Sequence, residues 1–191
     1  MPSGNGPRVG QWGGDEPGRG PGPPAGQPAV ASYALAVTGP KSPMAWIESA
    51  WQELDARDAG RRDGCLEVVS DVLATGLLAQ GDAVRIVERL VAVALSGESY
   101  ELRESALHAV CTATTPYELP YRVVAPLAAA DGMEPLLLEY VLAALGSTGD
   151  RAALPAVERF LRHPHPGVRR EAVDAVKELR WRLRPTREGT A

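Results

Sequence analysis

The chain has 191 residues, of which 45% are apolar and 23% charged, with a formal net charge of −4. That length allows one ordinary domain with a core of its own, and the acidic balance argues against phosphate-backbone binding as the main task. Two cysteines without a Cys-X-X-Cys pair give no support to zinc or thioredoxin-type redox chemistry, and point instead to buried thiols in a reducing cytoplasm.

Residues 1–43 hold 9 of the 17 prolines and 10 of the 20 glycines. Such a stretch cannot bury enough apolar surface to offset the entropy of ordering, so a disordered tail is expected. Its one apolar run, Ala29 to Val37, lacks a basic start and is too short to span a bilayer. Ser42-Pro43 is an N-cap followed by a proline suited to the first helical position. Met44 comes directly after, which makes translation starting there a further expectation. A helical domain is expected over 44–185, and 186–191 as a flexible C-terminus.

Eight helices follow from the 3.6-residue apolar period. The first reaches about Ala59, with Ile47, Ala50, Trp51 and Leu54 on one face. The second runs from Asp63 to Ala79, with Gly81 as its stop. Asp82 is read as the cap of the third, whose Val84, Val87, Leu90, Val91, Ala94 and Leu95 are apolar nearly all round, so it should be buried on more than one side. Gly97 ends it, and the fourth covers Glu101 to Thr112. The fifth, Pro120 to Ala130, contains Pro126 and should be kinked or short. The sixth runs from Pro135 to Gly146, the seventh from Asp150 to Arg162 with Leu154, Val157, Phe160 and Leu161 as its apolar side. The eighth runs from Gly167 to about Arg184, with Val168, Ala172, Val173, Val176 and Leu179 inward. No alternating strand pattern occurs.

The apolar positions of the last helix recur. Val168, Ala172, Val173, Ala175 and Val176 match Leu137, Val141, Leu142, Ala144 and Leu145. The same spacing returns in Leu102, Ala106, Leu107, Ala109 and Val110, and in Cys65, Val69, Ser70, Val72 and Leu73, where Ser70 is a polar lapse. A helix pair cannot cover its own apolar stripe, so repeated pairs stack on their neighbours. Gly149-Asp150, Ala153-Leu154-Pro155, Phe160-Leu161 and Val168-Arg169, followed by Ala172, Ala175 and Val176, resemble a short HEAT-type repeat of the kind also found in bilin lyases. The resemblance is closest over 136–180 and weaker over 44–135. It implies an all-α, right-handed α-α superhelix of about four helix pairs. In many such repeats the position of His163 is an aspartate that meets repeat arginines; here Arg169 is present without it.

Charge is segregated, with +1 over 1–43, −8 over 44–163 and +3 over 164–191. In HEAT stacks the second helix of each pair lines the concave face. Those helices here carry Glu67, Asp71, Glu101, Glu104, Glu139, Glu171 and Asp174, a face suited to a basic protein partner. Trp46, off the stripe of the first helix, is a candidate anchor beside them. The expected function is non-catalytic protein binding, as an adaptor or an immunity protein masking a basic toxin. The alternatives are a bilin-lyase-like role on a chromophore protein, or nucleic-acid binding by Arg180, Trp181, Arg182 and Arg184. Against the last, arginines suit a helix C-terminus and Trp181 is expected to close the end of the stack. His108, His163 and His165 lack a third ligand at metal spacing, and no nucleophile, base or phosphate loop is discernible. No metal or cofactor is expected.

Overall fold

The computed structural model describes residues 42–184 apart from 56–58, 97 and 130–131. The expected tail and the last residues, 1–41 and 185–191, lie outside the described residues. These form eight α-helices and one 3-10 turn, with no strand among them: α1 (Pro43–Leu54), α2 (Ala59–Ala74), α3 (Gln80–Leu95), α4 (Tyr100–Ala113), α5 (Tyr121–Ala129), α6 (Pro135–Ser147), α7 (Ala153–Glu158) running into the 3-10 turn Arg159–Arg162, and α8 (Pro166–Arg182).

Local chemistry sets most of these ends. The Ser42 hydroxyl accepts from the Ala45 N–H at 3.2 Å, and Pro43 fills the first helical position, where a missing donor costs nothing. Ser99 caps α4 in the same way through Leu102 N. The end of α2 differs from the sequence reading. It closes at Gly76, whose φ of +67° is the left-handed conformation that glycine tolerates best. Gly81 instead lies inside the first turn of α3, as does Asp82, which pairs with Arg85 rather than capping. Helix α5 continues across Pro126 for its last turn and is only nine residues long. Asp150 accepts from Ala152 N at 2.9 Å and so holds the turn that leads into α7.

Successive helices pack as antiparallel-order pairs: α1 with α2, α3 with α4, α5 with α6, and α7 with α8. Second helices also pack on one another in sequence, α2 on α4, α4 on α6 and α6 on α8, as first helices do from α3 to α5 to α7. Paired contacts fix the direction within the row of second helices. Arg62 meets Glu98 near the starts of α2 and α4, and Ser70 Oγ donates to Thr112 Oγ1 at 3.1 Å near their ends. Arg103 reaches Glu134 at 3.1 Å while Cys111 Sγ donates to Tyr140 O at 3.3 Å. Glu139 lies over Gly167, and Gly146 over Ala175. Early meets early and late meets late each time, so the four second helices run parallel.

The expected stripes fill the core. Cys65, Val69, Val72, Leu73, Leu102, Ala106, Leu107, Val110, Leu137, Val141, Leu142 and Leu145 are all buried. Ser70 is buried too, made tolerable by its bond to Thr112. Helix α3 is buried against both α4 and α5. Three positions depart from the expected stripes, the first being Leu95 at the end of α3, which is exposed. Leu161 is exposed because the chain tightens to three residues per turn after Glu158, which sets Phe160 over Val157 and swings Leu161 outward. Val173 is 41% exposed: its counterparts Leu107 and Leu142 are covered by the following second helix, and no described helix follows α8.

Candidate functional site

The row of second helices presents the carboxylates singled out in the sequence. Glu67 and Asp71 lie on α2, Glu104 on α4, Glu139 on α6, and Glu171 and Asp174 on α8; Glu67, Glu101 and Asp174 are exposed and the others half-buried. Gly167 brings Glu139 close to α8, because a Cβ there would overlap the Glu139 carboxylate. On the same turn His165 Nδ1 stands 3.7 Å from Glu139 Oε1.

Electrostatics shows which of these groups share one neighbourhood. The Glu171 carboxyl is held above its ordinary pKa by burial first, then by the charges of Asp174 and Glu139, with Arg170 opposing. Tyr140 is raised by burial and by Glu104, and Tyr100 by burial and then Glu104. Cys111, pushed up to about 12 by burial and then by Glu171, is a neutral thiol at physiological pH. His108 meets the Tyr140 ring edge-on at 6.4 Å between centroids. Glu139 thus bears on Glu171 across α6 and α8, and Glu104 on Tyr140 across α4 and α6, while Glu67 and Asp71 stand on α2. Among the described residues, Glu67, Asp71, Glu104 and Glu171 enter no ion pair. Arg89 pairs with Asp55, Arg103 with Glu134 and Arg180 with Glu158, away from these four, while Lys177 pairs with Asp174 on the face itself.

Trp46 does not join this group. It is half-buried on α1 and packed against the core. The arginine-rich end behaves differently from expectation. Trp181 is 62% exposed, so it does not close the stack. Arg182 bonds Glu178 through Nε at 2.6 Å, and Arg184 is exposed. Around them lies a groove whose other walls are Glu118 and the Ser147–Gly149 turn, of which only Gly149 entered a sequence motif.

No family model matches the chain. No curated protein matches it either. Among solved structures, the crystal structure of an engineered protein is similar to it with a TM-score of 0.49 and 14% identity, over 71% of this chain and 63% of that one. The chain thus spans less than two thirds of that protein, and a likeness at this level carries no argument about fold or function.

Arg169 has a role of its own. Its guanidinium donates to the carbonyls of His163 and Pro164, both at 2.8 Å, and so closes the turn before α8. Arg103, its counterpart in the repeat register, bonds the Ala94 carbonyl at 3.1 Å and also reaches forward to Glu134. A carboxylate from the following pair thus meets a repeat arginine, at a position other than the one the resemblance implies. Among the described residues, no three His, Cys, Asp or Glu side chains are grouped to hold a metal ion, and no helix is long and apolar enough to cross a membrane.

Proposed function

We propose that this chain is a non-catalytic binding protein built as a HEAT-like stack of four helix pairs, taking a basic protein partner on its row of second helices in the manner of an adaptor or an immunity protein. The observation that carries this reading is the set of carboxylates without counter-ions on neighbouring parallel helices. The carboxyl of Glu171, raised first by burial, also feels repulsion from Asp174 and Glu139. Lysines or arginines of a partner would relieve that repulsion, and the field of the face would speed and orient the encounter. The parallel packing of α2, α4, α6 and α8 supports the repeat architecture, because a row of equivalent helices presents equivalent positions side by side.

The test compares the wild type with the triple variant Glu67→Gln, Glu104→Gln, Glu139→Gln as immobilised baits in lysate of the native host. Proteins retained by the wild type and lost by the variant should be basic, and their association should slow as salt shortens the Debye length below about 8 Å. Retention of the same proteins by both baits, or a salt-independent on-rate, would overturn the reading.

A further inference from the structure

A second site lies at the turn edge, apart from the acidic face. Trp181, Arg182 and Arg184 form one wall of a groove, the turn Ser147–Gly149 its floor, and Glu118 the other side. It encloses about 480 Å³, within the range of about 300–1,000 Å³ that small-molecule sites occupy.

Each wall is held in place. Tyr117 and Leu119 are buried on either side of Glu118, with Leu78 N donating to the Tyr117 hydroxyl at 3.0 Å. The Glu118 carbonyl accepts from Gln80 Nε2 at 2.5 Å. Gly149 has φ +63°, and a Cβ there would lie 3.5 Å from Cβ and Cδ of Arg182, so the arginine stem rests on the turn. Glu178 takes Arg182 through Nε alone, which leaves the two terminal guanidinium nitrogens with their donors. Arg184 enters no ion pair among the described residues.

An exposed indole beside two guanidinium groups, facing one carboxylate on an anchored backbone, matches a planar base joined to phosphate. The base stacks on Trp181, the phosphates meet Arg182 and Arg184, and Glu118 accepts from an N–H on the base edge. An acidic peptide would satisfy the arginines but leave the indole without a flat partner. We propose that this groove binds a nucleotide unit of single-stranded nucleic acid. Engagement of phosphates by the two arginines makes that binding dependent on salt.

The test uses the full chain with a fluorescently labelled oligothymidylate, followed by anisotropy across a salt series. With two phosphates engaged, the log–log salt slope should be about −1.4, at about −0.7 per phosphate for single strands. Trp181→Ala should lower the association constant by about five- to 150-fold, the range seen when one stacking platform is removed. Trp181→Phe keeps an aromatic face and should retain most of the binding, which guards against a folding artefact. Arg184→Ala should flatten the slope by about 0.7. Thymidine monophosphate binding as well as the oligonucleotide would keep the nucleotide chemistry and move its source to free nucleotides. No binding at low salt, equal binding by Trp181→Ala, or displacement by polyglutamate as readily as by unlabelled oligothymidylate would overturn the proposal.

Discussion

Three glycines show how much a missing Cβ is worth in different surroundings. At Gly146 a Cβ would sit 2.8 Å from the Ala175 Cα, against backbone that cannot swing aside. Gly146→Ala gains helix propensity of about 1 kcal/mol but overpacks the α6–α8 crossing at about 1–3 kcal/mol, so denaturant melts should report a net loss. Gly81 has open space around its α-carbon within the first turn of α3, and Gly81→Ala should stabilise by about 0.4–1 kcal/mol. Gly76→Ala, left-handed and 3.3 Å from Pro116 Cβ, should cost roughly 1 kcal/mol or more. A stabilising Gly146→Ala would mean that the two helices are not in close approach. Glu171 gives a prediction in pH. Its folded carboxyl holds a proton more tightly than the unfolded one, so stability falls as pH rises from the ordinary value of 4.5 through the raised folded value, and stays reduced above it. Glu171→Gln removes that fall. Its thermal midpoint should exceed the wild type's at pH 7 and match it below pH 4.5; an equal gain at both would point to packing instead.

At the scale of elements, apolar spacing located all eight helices, because burial on one face imposes its period on the sequence whatever the partner. It was weaker where the backbone left the ideal helix or where a neighbour decided burial. Gly76 and Gly81 are alike as residues, and only the left-handed backbone turn singles out Gly76 as the end of α2. The tightening after Glu158 has no local sequence mark, and it keeps Phe160 in the core while turning Leu161 out. Phe160→Ala should therefore cost about 3–5 kcal/mol as a core truncation, with Leu161→Ala much milder. The same logic separates register equivalents: Leu142→Ala should cost about 2–5 kcal/mol, whereas Val173→Ala should stay near the surface value of about 0.5 kcal/mol. Similar losses for Leu142 and Val173 would show that a further element covers α8. The candidate carboxylates were legible as charge on second helices, but their grouping was not. That Glu139 meets Gly167 and repels Glu171 depends on which helices adjoin. The groove beside Trp181 was half legible, since its arginines form a run in sequence and Glu118, Thr148 and Gly149 come from separate turns.

For the whole molecule, every helix contacts elements near it in sequence, and the row from α2 to α8 is built from one kind of junction repeated. Structure of that sort is local in chain distance, so it assembles without closing long loops first and its folding should be fast for its size. It also opens unevenly. Helices α4 and α6 are flanked on both sides within their row, while among the described residues α2 and α8 each have a row neighbour on one side only, and α8 also shows Val173 and Trp181 to water. Amide hydrogen exchange should accordingly be slowest in α4 and α6 and fastest in α8, with protection graded along the row instead of lost all at once. A partner seated across several second helices would tie these separately opening units together, so its binding should appear as slowed exchange in α8, even at amides it does not touch.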